Sequence, residues 1–229
     1  MVSMRREVTI GLVAAAALAL VAPSASAATT TIRAGGATGA PYSGNVQVSL
    51  LGPASVTTVF GTGSCNQGSV SASVQSNGTN LSISAASFTN DPGPDCPVPG
   101  TSSSVTVTSQ NLPWSGGNVT YAPVAGGRDA TITLSVAKVK AVTHNVPILG
   151  TITCYYGGTV TASGYNPTNP SRPDTSVTAA QGKIDAATLN KINSGSSIYC
   201  PGTASITGNF EMVGQGSSGA FDQTLYVTS

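Results

Sequence analysis

The sequence predicts an all-β protein, either an antiparallel sandwich or a barrel, with an internal pseudo-duplication. Apolar residues alternate with serine and threonine along most of the chain, which is the pattern of strands that bury one face. Glycine, proline and asparagine interrupt these runs at short intervals, as turns do. One segment occurs twice, at 60–65 and 149–154, and each copy ends in a cysteine and leads into another alternating run. The repeat predicts two similar halves, at about 45–125 and 128–229.

The individual strands follow from the alternation, taken in chain order. Residues 28–44 are rich in small side chains and are predicted to form a loose lead-in. The alternating runs that follow are centred on Val48, Val56, Val70, Ile83, Val105, Val119, Ile132, Val160, Ile184, Phe210 and Leu225. Between them, 91–97 and 165–174 contain several prolines, which remove backbone donors, so both are predicted to be loops.

The halves match in a second place as well. The order Ile-x-Ala-Ala occurs at 83–86 and at 184–187, and after each the next large apolar residue has changed parity. This shared change predicts a β-bulge at each double alanine. Residues 185–193 also fit a short helix capped by aspartate, but the match with 83–90 favours a strand. We interpret 28–229 as one domain of two halves, and two tandem small β domains are the alternative.

Residues 1–27 have the features of a signal peptide. The pair Arg5-Arg6 precedes an apolar run, which ends near the small-x-small triplet Ala25-Ser26-Ala27. The arginine pair leaves general secretion and twin-arginine export both open. Removing these 27 of the 229 residues would leave 202, with no further apolar stretch long enough for a membrane-spanning helix. The chain is therefore predicted to be a bacterial secreted protein, extracellular or associated with the cell envelope.

The charge of the chain excludes several kinds of partner. Losing Arg5, Arg6 and Glu7 with the leader reduces nine basic and eight acidic side chains to seven of each, so the net charge is near zero. A near-neutral chain offers no basic patch for nucleic acid or anionic lipid. The expected partners are a cell-wall glycan or another envelope protein, with no nucleic acid and no integral membrane span.

Four cysteines remain after the leader, and an even number in an exported chain predicts two disulfides. Each half carries one cysteine in the repeated segment, Cys65 or Cys154, and one directly before a proline, Cys96 or Cys200. These equivalent positions favour Cys65–Cys96 and Cys154–Cys200 among the three possible pairings. A metal site is not expected, because Cys-x-x-Cys is missing and the chain has one histidine.

The chain is poorly supplied with catalytic groups, so a non-enzymatic protein is predicted. His144 is the single histidine, and no Gly-x-Ser-x-Gly nucleophile motif accompanies it. Residues 214–219 match Gly-x-Gly-x-x-Gly, but a strand and not a helix is expected next, so no nucleotide or other cofactor is predicted. Asp91 and Asp95 lie close together without a calcium-loop pattern. A secreted hydrolase that uses His144 is the distant alternative.

Aromatic side chains are the candidates for ligand binding. Trp114, Tyr155, Tyr156 and Tyr165 offer flat faces that stack on a sugar ring or line a groove. The tyrosine pair replaces an asparagine and a glutamine at the matching positions of the first half, so a binding role is expected in the second half. The alternative is that Trp114 plugs the core and the tyrosines cap strand edges.

Several of these pieces occur together in one kind of protein. Gly-Thr-x-x-Cys, Ile-x-Ala-Ala-x-Phe, the strand end Leu112-Pro113-Trp114 and the run 203–210 resemble small exported β-proteins of high-GC Gram-positive bacteria. The resemblance implies export, an all-β fold and disulfides, and it brings no known activity and no catalytic residue. The expected function is a structural or adhesive role outside the cell. A carbohydrate-binding or small-molecule-binding module is the alternative.

Overall fold

The computed structural model describes residues 29–229, so the predicted signal peptide, 1–27, lies outside the described part of the chain. The secondary structure of that part consists of strands and turns. The strands are β1 (Thr31–Ala34), β2 (Gly44–Leu50), β3 (Ala54–Thr58), β4 (Gly61–Cys65), β5 (Gln67–Val74), β6 (Leu81–Thr89), β7 (Cys96–Pro97), β8 (Ser104–Ser109), β9 (Trp114–Tyr121), β10 (Ala130–Val146), β11 (Gly150–Tyr165), β12 (Ala180–Ile192), β13 (Thr203–Gln215) and β14 (Phe221–Thr228).

The wall of the structure is a closed barrel of eight antiparallel segments, and we call each segment a stave. The all-β prediction is therefore confirmed, and of the two predicted architectures the structure is a barrel. Four staves are each made of two short strands in line: β2 with β3, β4 with β5, β6 with β7, and β8 with β9. The other four are the long strands β10, β11, β12 and β13. Because β13 pairs with both β2 and β3, the wall has no free edge. Successive staves are neighbours, which is an up-and-down barrel.

The repeated sequence maps onto this barrel in a regular way. The two copies of the cysteine segment lie in β4 and in β11, which are four staves apart in the eight-stave wall. Both predicted disulfides are present, Cys65–Cys96 and Cys154–Cys200. Cys65 is linked to Cys96 in β7, at the end of the next stave, and Cys154 is linked to Cys200 in the loop that follows the next stave, β12. Matching sequence therefore occupies matching places on opposite sides of the wall.

The predicted bulges are also present, next to the double alanines. In β6, the pairing with β5 skips Ser84, and in β12 the pairing with β13 skips Asp185 and Ala186. Ala186 has a positive φ of 54°. Ser84 and Asp185 are equivalent in the two halves, and each bulge adds one residue to its strand, so it reverses which face of that strand points inward. Residues 185–192 are strand, as the match between the halves predicted.

The prediction of a loose lead-in at 28–44 was wrong in one respect, because it contains β1. This strand pairs with β14, the last strand of the chain. Its pattern was missed because only Ile32 is a large buried apolar residue among four. A strand this short is stabilised by its partner strand more than by its own alternation.

Together β1 and β14 form a ribbon, which we call the strap, across one end of the barrel. The Ile32 N–H donates to the Ser76 carbonyl in the β5–β6 turn, at 2.6 Å. On the far side, Asn166 in the β11–β12 loop exchanges two hydrogen bonds with the backbone of Val227, at 2.8 and 3.0 Å. These turns belong to opposite parts of the wall, so the strap spans the opening. We call this the strap end, and the opposite one the disulfide end.

The loop beside the strap is held by a buried glutamine. Gln181 has no exposed surface, and its side-chain oxygen accepts the Asp174 N–H at 2.8 Å. Its side-chain nitrogen donates to the Asp174 and Val177 carbonyls. One side chain therefore satisfies three backbone groups of the β11–β12 loop, which fixes that loop over the strap end.

No helix long and apolar enough to cross a membrane occurs in the described residues, 29–229.

Candidate functional site

The interior of the barrel encloses a cavity of about 280 Å³. Inward positions along all eight staves contribute to it, and almost all of the side chains that line it are apolar. Many of them are very small. The smallest lining residues are Ala54, Ala72, Ala86, Ala130, Ala137, Ala141, Ala162, Gly164, Ala180, Gly182 and Ala204.

The short side chains explain why the cavity exists. An eight-stranded barrel is just wide enough for its own side chains to fill, or for one small ligand. Alanine and glycine at inward positions leave volume that leucine or phenylalanine would occupy, and the closed wall cannot collapse onto it. An apolar cavity of about 150 Å³ is large enough to hold benzene. The cavity in this barrel is therefore of ligand size.

Larger side chains line the cavity as well. Phe88 and Phe210 meet edge to face with ring centroids 6.5 Å apart, and the lining continues past them toward the disulfide end as far as Ala204. At the strap end, Ile32, Leu225 and Val227 are buried and face the cavity. The strap thus supplies an apolar inner face as well as a ladder of backbone bonds.

Tyr156 places one polar atom in these apolar surroundings. The side chain lines the cavity and only 3% of its residue surface is exposed. Within residues 29–229, its hydroxyl is the one buried side-chain nitrogen or oxygen without a hydrogen-bond partner. Burial raises the pKa of Tyr156 above the ordinary tyrosine value, so the hydroxyl is protonated and is a donor. Tyr156 therefore combines a place in the apolar lining with a buried hydroxyl that has no partner.

Replacing Tyr156 with phenylalanine is expected to stabilise the empty protein by about 1–2 kcal/mol. The substitution keeps the ring and removes a hydroxyl that has no partner, and such a buried group costs about 1–3 kcal/mol. Urea unfolding of both proteins measures the difference. A loss of stability in Tyr156→Phe would show that the hydroxyl already has a partner in the empty barrel.

The structure separates the four aromatic residues that the sequence suggested for ligand binding. Trp114 and Tyr165 line the cavity together with Tyr156. The Trp114 indole N–H donates to the Gln110 carbonyl at 2.8 Å, so its polar atom is satisfied and its ring is left as apolar wall. Tyr155 does not line the cavity; its ring lies on the outside, where the Lys138 ammonium is 6.0 Å from the ring centre. No surface platform of four stacked rings is formed.

His144 lies in a small polar cluster on the outside of the barrel. The Thr106 hydroxyl donates to the Asp95 carboxylate at 2.5 Å, and His144 Nε2 is 2.9 Å from the same hydroxyl oxygen. A hydroxyl has one proton, so a threonine that donates it to Asp95 can only accept a bond from His144. Histidine is then not placed as a base toward Thr106, in contrast to the order of a serine hydrolase triad.

No group of three or more histidine, cysteine, aspartate or glutamate side chains is arranged to hold a metal ion in the part of the chain that the structure describes. The four cysteines of that part are all in disulfides.

Sequence reasoning missed the residues that make the cavity, although a signal was present. Ile152, Cys154 and Tyr156 have the same parity on β11, and all three are buried. The alternation therefore places Tyr156 inside and Tyr155 outside. The alternation does not show whether an inward alanine packs against a facing side chain or borders an empty space, because that depends on how the barrel closes.

Comparison with known proteins gave no match: no protein-family model, no curated protein and no solved structure resembles this chain significantly.

Proposed function

We propose that this chain is an exported, non-catalytic protein that binds a small apolar molecule carrying one polar group inside its barrel. The observation that carries the proposal is an apolar cavity of about 280 Å³ whose lining includes Tyr156, a residue with a buried hydroxyl that has no hydrogen-bond partner. Export is supported by the predicted signal peptide and by two disulfides, which persist outside the cytoplasm.

A hollow interior favours ligand binding over a purely structural or adhesive role. An empty cavity destabilises a protein by about 24 cal/mol per Å³ of residual volume. A protein with only a structural role would gain stability by filling these positions with larger side chains. A bound ligand would replace the missing contacts, and it would also give the Tyr156 hydroxyl a partner.

The composition of the lining favours an apolar ligand over a carbohydrate. A sugar carries several hydroxyls, and each must exchange its bond to water for one to the protein. Among the buried side-chain polar atoms of residues 29–229, the Tyr156 hydroxyl alone lacks a partner, and the Trp114 N–H is already bonded to Gln110. A ligand of one or two fused rings with a single hydroxyl or carbonyl fits both the volume and this polarity.

A pair of probes that differ by one hydroxyl tests the proposal. Calorimetric titration should show that naphthalene and 2-naphthol both bind, and that 2-naphthol binds more tightly. Tyr156→Phe should weaken 2-naphthol by about 3–10-fold, which is the contribution of one hydrogen bond, and leave naphthalene unchanged. Equal effects on the two probes would show that Tyr156 does not contact the ligand oxygen.

A filled barrel provides the second arm of the test. Ala72 is buried and lines the cavity, so Ala72→Leu should take up the space and abolish binding of both probes. The neighbouring Ser71 is on the other face of the same strand, and Ser71→Leu is the matched control that should bind as the parent does. Failure of both probes to bind the parent protein, or their undiminished binding to Ala72→Leu, would overturn the proposed function.

A further inference from the structure

Large exposed apolar side chains are concentrated at the disulfide end. They occur in the β3–β4 turn, the β10–β11 turn and the β12–β13 loop, and all three connections lie at that end of the barrel because the staves alternate in direction. We call these residues the apolar rim. Its members are Val59, Phe60, Ile148, Ile198 and Tyr199.

The rim is held in an ordered arrangement and is not a set of loose ends. Ile198 and Tyr199 directly precede Cys200, whose disulfide ties the loop to β11. The Ser197 N–H adds a bond to the Thr153 carbonyl at 2.9 Å. Asn145, at the end of β10, makes two bonds to the neighbouring β7–β8 turn. Two of the three segments are therefore held in place while their apolar side chains face solvent.

Ile148 combines two unfavourable features at the tip of its turn. Its side chain is fully exposed, and its backbone has a φ of 69°. A β-branched residue is strongly disfavoured in this left-handed region, where asparagine or glycine is the ordinary choice. An exposed apolar side chain on a strained backbone does not by itself stabilise the folded protein. Strain of this kind is found where a residue serves a purpose other than stability.

The three segments that carry the rim contain no charged residue. They are 58–61, 146–150 and 193–202, made of apolar residues with serine, threonine, asparagine, glycine and proline. At the strap end, by contrast, charged side chains surround the opening, among them Arg33, Arg128, Asp129 and Arg172. The three loops that carry the rim are thus uncharged, although Asp95 and Lys191 also lie at this end, where the Lys191 ammonium donates to the Cys200 carbonyl at 3.2 Å.

We infer that the apolar rim docks on the surface of an electrically neutral lipid bilayer. Its side chains stand on three separate loops with polar residues between them, and separate tips can each enter a deformable apolar medium. A protein partner would instead need a matching set of pockets, and an anionic membrane would need basic residues that these loops lack. Tyrosine and phenylalanine suit the boundary between headgroups and acyl chains. None of the five rim residues lines the cavity, so this inference goes beyond the proposed function and is independent of it.

The test is sedimentation of the purified protein with phosphatidylcholine vesicles. The parent protein should sediment with the vesicles equally at low and high salt, because no ion pairs are involved. The variant Phe60→Ser/Ile148→Asn/Ile198→Ser should bind at least about tenfold more weakly, since it removes three large apolar side chains. The matched control is Val124→Ser/Val136→Ser/Phe221→Ser, which removes three exposed apolar side chains away from the rim and should bind as the parent does.

Two further measurements separate docking from folding and from the cavity. Ile148→Asn alone should be at least as stable as the parent, because asparagine tolerates a positive φ, and yet bind vesicles more weakly. The triple rim variant should still bind 2-naphthol if the cavity functions as proposed, so each proposal can fail without the other. The inference is overturned if the parent does not sediment with vesicles or if the rim and control variants lose binding equally. It is also overturned if light scattering shows that the rim instead joins two copies of the chain, with the dimer lost in the rim variant.

Discussion

Replacing Cys154 and Cys200 together with alanine should lower the free energy of unfolding by about 4 kcal/mol. The disulfide joins residues 46 positions apart, and closing a loop of that length removes about this much chain entropy from the unfolded state. Both cysteines are buried in the core, so their loss also removes packing at the disulfide end. Guanidinium unfolding followed by the fluorescence of Trp114, the single tryptophan, measures the change.

The other disulfide is the natural control for this experiment. Cys65 and Cys96 are 31 positions apart, so Cys65→Ala/Cys96→Ala should cost slightly less, about 3.5 kcal/mol. Near-equal losses are expected because the two bonds occupy equivalent places in the two halves. A loss below about 1 kcal/mol for either pair would show that the unfolded chain is already compact there, and that the entropic account fails.

The repeat was the part of the sequence that predicted structure best. It led to the disulfide pairing, to the strand at 185–192 and to the two bulges, because each inference compared one half with the other. Such a comparison cancels the local ambiguity of a single pattern: residues 185–193 alone fit a helix cap, but their counterpart at 83–90 does not. In the structure, equivalent positions of the two halves lie at equivalent places in the barrel wall.

The closure of the barrel could not be predicted by comparing the two halves. Alternation shows which face of a strand is buried but not whether the sheet folds against another sheet or returns to its own first strand. That depends on β13 pairing with both β2 and β3, a contact between residues more than 140 positions apart. The cavity follows from closure, so inward residues such as Ala137 and Gly182 could not be recognised as its lining from the sequence.

The strap was missed for a related reason, because its buried face combines residues from both ends of the chain. Ile32 in β1 and Val227 in β14 are directly paired, and although β14 alternates and was predicted, β1 has only four residues and a single large buried apolar side chain. The side chain that anchors them, Asn166, lies in a proline-containing loop that the sequence marked only as a connection. One side chain that forms hydrogen bonds with both backbone groups of a strand residue produces no periodic pattern in the sequence.

Asn166→Ala should destabilise the protein by about 2–4 kcal/mol and should open the strap locally. The substitution leaves the N–H and carbonyl of Val227 without their partners, and a buried backbone group in that state costs about 1–3 kcal/mol. Asn166→Asp is the matched variant: its carboxylate can still accept the Val227 N–H, but its second oxygen faces the Val227 carbonyl and a new charge lies beside Asp129, so a loss at least as large is expected. Hydrogen exchange of the Val227 and Ile32 amides should quicken in the alanine variant more than exchange in β10 and β11, because strap opening does not require the wall to unfold.

The same substitution bears on the route into the cavity. Ile32, Leu225 and Val227 close the strap end with apolar side chains, so freeing the strap removes part of the lid while the wall and Tyr156 stay in place. In Asn166→Ala, 2-naphthol should therefore enter and leave several times faster, with its affinity changed less than its rates. Unchanged rates would place the entrance at the disulfide end, toward which the lining extends as far as Ala204, and would make the strap a structural element alone. Exchange rates and amide protection measured on one variant thus determine whether the two ends of the chain act as a lid.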